Sequence, residues 1–273
     1  MLHKKSLGQH FLRSKAALFN IAEAANLSRA DTALEVGPGE GTLTELLLAR
    51  AGKVVAVEKD DRLMPILRQK FAADIASGKL HLIHADILSF SPSHYSLLAT
   101  RYKIVANIPY YITGAFLKRF LQTETRSPEL MVLLLQKEVA RRIVATDGKE
   151  SILSMSVKAY GHPAYIGSVK AGAFSPPPKV DSAIIAIENI SKSFFSDGLV
   201  EPPTDTRSDL VKKKERRFFE LLKKGFAHPR KFVASNLGVP TEKLKECGVR
   251  DKARPENLSV KDWKCLSASF RDS

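Results

Sequence analysis

Apolar residues recur along this chain in two rhythms, and the rhythms alternate over the first 190 positions. Residues 14–25 (SKAALFNIAEAA) return an apolar side chain every three or four positions, which predicts a helix with Ser14 as its N-cap. Short continuous apolar runs then trade places with amphipathic ones. Ala33–Val36, Lys53–Val57, Leu80–His84, Lys103–Ala106 and Leu130–Gln136 read as strands. Thr42–Arg50, Asp61–Ala76, Gly114–Leu121, Lys137–Val144 and Ile152–Tyr160 read as helices. Two late strands, Tyr165–Lys170 and Ala183–Glu188, have no helix between them and are expected to pair antiparallel. Such alternation predicts an α/β fold: a largely parallel, Rossmann-like sheet with helices on both faces, whose ligand lies at the carboxyl ends of its strands.

The alternation stops near residue 190. Residues 191–207 (SKSFFSDGLVEPPTDTR) are rich in Ser, Asp, Gly and Pro and read as a linker. Beyond them the pattern is helical, at 209–226, 230–237, 241–247 and 260–270, with Pro240 and Ser259 marking starts. The expected organisation is a first domain over 1–190 and a small basic helical domain over 208–273. Charge sharpens this division. Residues 191–273 hold 19 Lys and Arg against 12 Asp and Glu, so they supply +7 of the net +14 from under a third of the 273-residue chain. That excess points to a polyanionic partner, because Lys and Arg gain affinity by releasing counterions from phosphates.

The two cysteines, Cys247 and Cys265, have no metal-ligand spacing. Neither a disulfide framework nor a zinc site is expected from them, and a reducing cytoplasm fits. The basic start of the chain lacks a signal-type apolar run, and the longest strongly apolar stretch, Leu130–Leu135, is the size of a strand. No membrane association is expected.

Candidate chemistry sits at the strand ends. Residues 34–41 (LEVGPGEG) form a glycine-rich turn after the first strand, where Gly37 lets the backbone approach a ligand. The spacing is G-x-G-x-G, not the dinucleotide pattern G-x-G-x-x-G. Glu58 ends the second strand, where a carboxylate can accept two ribose hydroxyls; Asp86 ends the third, where it can accept an adenine amine or simply cap a turn. Together these signals resemble the seven-stranded class of S-adenosylmethionine methyltransferases. A nicotinamide dehydrogenase is the competing reading, and no hydride-transfer constellation supports it.

Residues 107–110 (NIPY) follow the fourth strand directly. An adenine N6 amine is a poor nucleophile because its lone pair is delocalised into the ring. The Asn107 side-chain oxygen and a carbonyl in 107–109 can hold its hydrogens, turning the lone pair toward a methyl donor. Pro109 fixes the turn and Tyr110 offers a stacking face. In residues 174–180 (FSPPPKV) a stiff proline run can hold Phe174 outward as the other half of a clamp around an extruded base.

The chain resembles the ribosomal RNA adenine dimethyltransferase family, in its small-subunit branch (the KsgA type). The resemblance is carried by GQHFL (8–12), LEVGPGEG (34–41), Val57-Glu58, HAD (84–86), NIPY (107–110), QKEVA (136–140), FSPPPKVDS (174–182) and RKFVASNL (230–237), which span nearly the whole chain. It implies that His10 and Leu12 cover the cofactor, that Gly37, Glu58 and Asp86 meet its amino-acid, ribose and adenine parts, and that Asn107 faces both cofactor and target amine. It also implies that Tyr110 and Phe174 embrace the target base. S-adenosylmethionine is the implied cofactor, S-adenosylhomocysteine its product, and no metal is implied. The implied substrate is a pair of adjacent adenosines near the 3′ end of small-subunit RNA within a pre-small-subunit particle, each receiving two methyl groups from a cytoplasmic, monomeric enzyme. Histidine stands at position 10 where the family usually has asparagine, which predicts some pH sensitivity of cofactor binding. The alternatives are a large-subunit adenine methyltransferase, a non-catalytic assembly factor, or a DNA adenine methyltransferase.

Overall fold

The computed structural model describes residues 10–92, 95, 101–124, 126–145, 147–196 and 205–270, with side chains of 205–208 left aside. Positions 8 and 9 of the GQHFL segment, and much of the expected linker, lie outside the described residues.

Seven strands form one sheet: β2 (Thr32–Val36), β3 (Lys53–Glu58), β4 (Leu80–His84), β5 (Tyr102–Asn107), β6 (Leu130–Gln136), β7 (His162–Val169) and β9 (Ser182–Glu188). Their order is β4-β3-β2-β5-β6-β9-β7. The five strands β2 to β6 run parallel, and β9 lies antiparallel between β6 and β7. The central parallel strands are mostly apolar on both faces, as strands covered on both sides are; Met131 to Leu135 of β6 are all fully buried. β7 begins a residue before Pro163 and tolerates it because it is the edge strand of this sheet. Chain order reverses between β2 and β5, whose Val36 and Ala106 stand opposite each other. That reversal opens the sheet's carboxyl edge into a crevice.

Helices α1 (Lys15–Ala24) and α2 (Thr42–Arg50) follow the expected periods, and Ser14 caps α1 by accepting from the Ala17 amide. The helix expected over 61–76 is instead two, α3 (Met64–Lys70) and α4 (Ala72–Ala76), broken at Phe71. The Phe71 ring packs under the glycine turn: a Cβ on Gly41 would fall 2.5 Å from Phe71 Cε2. α5 (Thr113–Lys118) and α6 (Lys137–Val144) follow β5 and β6.

A pair of two-residue strands escapes the hydrophobic pattern. β1 (Phe11–Leu12) pairs antiparallel with β8 (Phe174–Ser175), bringing Leu12 opposite Phe174. Neither run is long enough to show a period.

The chain divides into two compact units, one of 1–140 with 162–190 and one of 141–161 with 191–273. The expected division at 190 places 141–161 with the sheet; its contacts group it with the second unit. That unit contains α7 (Ile152–Lys158), α8 (Asp205–Gly225), α9 (Val233–Leu237), α10 (Thr241–Lys245) and α11 (Val260–Ser269). α8 begins within the stretch expected as linker. Rings of Tyr160, Phe194, Phe195, Phe218 and Phe219 pack together, and buried Trp263 lies against Gly225.

Cys247 and Cys265 are joined as a disulfide, with Cα atoms 5.7 Å apart, against the expectation of two separate thiols. Sequence spacing does not reveal that the turn after α10 folds back onto α11. The closed loop spans 18 residues, and for loops of that size the staple contributes about 3 kcal/mol. Reduction is therefore expected to lower the second unit's melting temperature by several degrees, read by calorimetry with and without a thiol; an unchanged melt would show the bond absent or energetically idle.

Candidate active site

The residues expected at the site, from the strand ends, the proline-rich segment and the family resemblance, line one cavity of about 190 Å³ in the first unit: His10, Leu12, Gly37, Glu58, Asp86, Asn107, Pro109, Tyr110 and Phe174. The crevice between β2 and β5 forms its floor.

The glycine turn is one wall. Gly37 and Gly39 have φ of +66° and +60°, a left-handed backbone that glycine adopts without strain. A Cβ on Gly39 would lie 2.9 Å from Phe11 Cε1, so the turn is seated directly on the N-terminal segment. Glu58, at the end of β3, is buried and accepts three backbone N–H groups: Gly39 through Oε2 at 3.1 Å, and Lys59 and Asp60 through Oε1, each at 2.8 Å. Its carboxylate therefore braces the turn as well as facing the cavity. Burial raises its pKa, and the N–H donors hold that rise in check. Asp86 caps Leu88 N at 2.9 Å and pairs with Lys59 Nζ at 2.7 Å, which keeps its pKa low. The turn-capping and the cavity-facing readings of Asp86 thus hold together.

Asn107 ends β5 beside Gly37. Its Nδ2 donates to the His10 carbonyl at 3.2 Å, which orients the amide and leaves Oδ1 as its acceptor. Pro109 (φ −54°, ψ 129°) turns the chain into a single helical turn at 110–112. Tyr110 is half-buried, with its hydroxyl 2.7 Å from Ser182 Oγ. The His10 ring lies 6.2 Å from the Tyr110 ring at 25° between planes, and its Nδ1 is 2.8 Å from the Pro176 carbonyl.

Phe174 requires a correction. The proline run predicts a ring held outward, but Phe174 is only 5% exposed and packs with Leu12 in the core cluster. Pairing of β8 with β1 turns its ring inward, so Phe174 is a wall of the cavity and not a projecting flap.

Four residues at or beside the site, Arg13, Glu40, Ser182 and Glu35, escape the sequence pattern. Arg13 donates through Nη1 and Nη2 to the two carboxylate oxygens of Glu40 in the glycine turn, at 2.5 and 3.0 Å. Being partly exposed the pair adds little stability, yet it ties the N-terminal segment to the turn. Ser182 holds Tyr110. Glu35, one residue before the turn's Val36, is 1% exposed; its Oε2 has no hydrogen-bond partner among the described residues. A charged residue inside a strand otherwise apolar on both faces is the signal that could have found it.

Burial pushes the Glu35 pKa up to about 8, so its carboxyl is neutral at pH 7 in the ligand-free protein. A group whose folded pKa is raised adds stability that is present below its unfolded value of 4.5 and lost as pH rises through about 8. Stability should fall across that window by about 1.4 kcal/mol per pH unit from this group alone. Glu35→Gln is expected to remove that slope; parallel pH–stability curves for the two proteins, measured by urea unfolding, would contradict it.

Among the described residues no cluster of three or more His, Cys, Asp or Glu could hold a metal, and no helix is long and apolar enough to cross a membrane.

A family model described as ribosomal RNA adenine dimethylase matches residues 1–271. The chain is 41% identical over 278 aligned positions to the ribosomal RNA small subunit methyltransferase A of Dehalococcoides mccartyi, covering 99% of this chain and 89% of that one. It is 36% identical to the protein of the same name from Fusobacterium nucleatum, covering 94% of each. Among solved structures, the 23S rRNA methyltransferase ErmE superposes with a TM-score of 0.73 at 26% identity, over 95% of this chain and 99% of that one. A dimethyladenosine transferase from Plasmodium falciparum superposes with the same score, 0.73, at 23% identity over 94% and 96%, a likeness of fold.

Proposed function

This chain belongs to the ribosomal RNA adenine dimethylase family, and we propose that its cavity transfers methyl groups from S-adenosylmethionine to N6 of two adjacent adenosines near the 3′ end of small-subunit ribosomal RNA. The observation that carries this reading is the position of Asn107. It ends β5 at the reversal of strand order, its Nδ2 is held by the His10 carbonyl, which leaves Oδ1 as its acceptor, and it lines the cavity with Gly37, Glu58 and Asp86. The small-subunit assignment is favoured over the large-subunit one by 41% identity to a small-subunit enzyme against 26% to ErmE. The intact glycine turn and NIPY segment favour an enzyme over a non-catalytic assembly factor.

The residues fit the donor. Left-handed Gly37 and Gly39 let backbone approach a ligand without a Cβ between them. Oε2 of buried Glu35, without a hydrogen-bond partner among the described residues, is open to a polar group of the ligand, and Glu58 and Asp86 present carboxylates suited to hydroxyls and an amine. Bound there, S-adenosylmethionine supplies a methyl group activated by a positively charged sulfur.

Everything else falls to the protein's own side chains. Tyr110 offers its ring face to the adenine, contributing about 1–3 kcal/mol by stacking. Asn107 Oδ1 and a backbone carbonyl in 107–109 accept the two N6 hydrogens and turn the lone pair toward the donor. Alignment supplies the acceleration, since displacement at a methyl group needs the reacting atoms near contact and in line. No strong general base is required, because N6 loses its proton readily once alkylated. After the first transfer one N–H remains, so one acceptor still orients the amine for the second.

The second unit is assigned the docking of RNA. Of the run Lys212–Arg217, Lys212, Lys213 and Arg216 are exposed on α8, whereas Glu215 turns inward to accept the Tyr160 hydroxyl. Replacing those three cations with Ala should weaken substrate binding and flatten its salt dependence by about 0.7–0.9 log unit for each phosphate no longer neutralised. An unchanged slope removes the docking role. The protein acts as a monomer in the cytoplasm on a pre-small-subunit particle.

The deciding experiment incubates the protein with labelled S-adenosylmethionine and undermethylated small subunits, then identifies the labelled nucleosides. N6,N6-dimethyladenosine at adjacent positions is expected. Label appearing only in large-subunit RNA would transfer the assignment to that branch.

A further inference from the structure

We propose that Ser182 is a positioning residue for methyl transfer: its buried hydroxyl pins the phenol of Tyr110 and sets the direction of the ring that receives the target base. The inference rests on the reading of Tyr110 as the stacking face.

Ser182 is a fixed point. It opens β9 with no exposed surface, and its Cα partners are Gln136 on β6 and Val169 on β7. The residue before it is anchored three ways. The Asp181 carboxylate accepts from Ala171 N at 3.0 Å and from Lys170 Nζ at 3.1 Å, and its carbonyl accepts from Lys137 N at 3.0 Å. The Ser182 Oγ thus stands on a strand that its neighbours hold on both sides.

Tyr110 is held at its other end by its own turn. Its carbonyl accepts from Thr113 Oγ1 at 3.0 Å, and Ile112 N donates to the Pro109 carbonyl at 3.1 Å. Backbone geometry thus fixes the Cα, and Ser182 fixes the hydroxyl 2.7 Å away. A ring tethered at both ends of its long axis keeps the direction of that axis and so the place of its face. That placement decides where a stacked adenine puts N6 relative to Asn107 Oδ1, and small misplacements of reacting groups are costly in rate.

The tether also excludes another role for Tyr110. Its hydroxyl is committed to Ser182, and burial raises its pKa, so the phenol neither ionises near neutral pH nor serves the reaction as an acid or base. The ring acts through its face.

The experiment is a double-mutant cycle in the full-length protein, assayed with S-adenosylmethionine and undermethylated small subunits. Ser182→Ala and Tyr110→Phe are each expected to lower kcat about tenfold with KM for the methyl donor unchanged, as loss of one orienting hydrogen bond should. The double variant should be no slower than either single one, because both remove the same bond. Losses that multiply, or a wild-type rate in Ser182→Ala with its melting temperature unchanged, overturn the proposal. If Ser182→Ala disturbs β9, Tyr110→Phe decides alone, since it leaves the strand intact, and a wild-type rate there overturns the proposal too. Tyr110→Ala separates the underlying reading: a wild-type rate in it removes the stacking role itself, whereas a large loss in it beside silent Ser182→Ala and Tyr110→Phe variants leaves stacking standing and removes only the tether.

Discussion

Asn107→Ala is expected to lower the rate of methyl transfer by about 10²-fold or more, because positioned hydrogen bonds at a reacting centre are worth that much. Two functions vanish together. The amine loses the Oδ1 that orients it, and the His10 carbonyl loses the Nδ2 donor that holds the N-terminal segment over the cavity. The fold should survive, since Asn107 is only half-buried at the end of its strand. Single-turnover assay with undermethylated small subunits, beside calorimetric titration of S-adenosylhomocysteine, separates the two losses. A slow chemical step with nearly normal product binding places Asn107 at the amine. A loss confined to binding places it only at the N-terminal segment.

Glu58→Ala should weaken S-adenosylhomocysteine binding by about 10²-fold. Two hydrogen bonds from ribose hydroxyls to a carboxylate, each worth about 1.5–3 kcal/mol, account for that much or more. The structure adds a second reason. Glu58 accepts the Gly39, Lys59 and Asp60 amides, so its removal releases the glycine turn from β3 and leaves those donors without their acceptor. Stability should therefore fall along with affinity, and it should fall even in the ligand-free protein. An unchanged affinity in titration calorimetry would remove Glu58 from the cofactor site and leave it as a brace alone.

Glu58 and Asp86 show how far a sequence can lead. Both are legible because a strand that ends in a carboxylate places it at the sheet's carboxyl edge, whatever the rest of the chain does. Neither their partners nor their double duty is legible. The Glu58–Gly39 bond spans 19 residues and the Lys59–Asp86 pair 27, and no local rhythm encodes contacts at that range. Phe174 marks the same limit from the other side. Its proline-rich setting suggests a ring held outward, but the ring's direction is set by β1, which comes from the opposite end of the first unit. His10 and Leu12 stand out only through family resemblance, and β1, which carries Leu12 to Phe174, is too short to show a period. The Cys247–Cys265 bond escapes the sequence because proximity across α11 depends on how the helices of the second unit pack.

What the sequence determined by itself is whatever local physics encodes: the alternating periods that make strands and helices, the antiparallel pairing of the late strands, the glycines that permit a left-handed turn, the acidic strand ends and the NIPY segment. Only the tertiary structure decided which of these meet. It closed β1 onto β8, brought nine predicted residues around one cavity, buried Glu35 with no partner for its Oε2 among the described residues and placed Ser182 against Tyr110. The reason is physical. Periods and turns follow from sterics and burial over a few neighbouring residues, whereas contacts between distant segments depend on how whole elements pack.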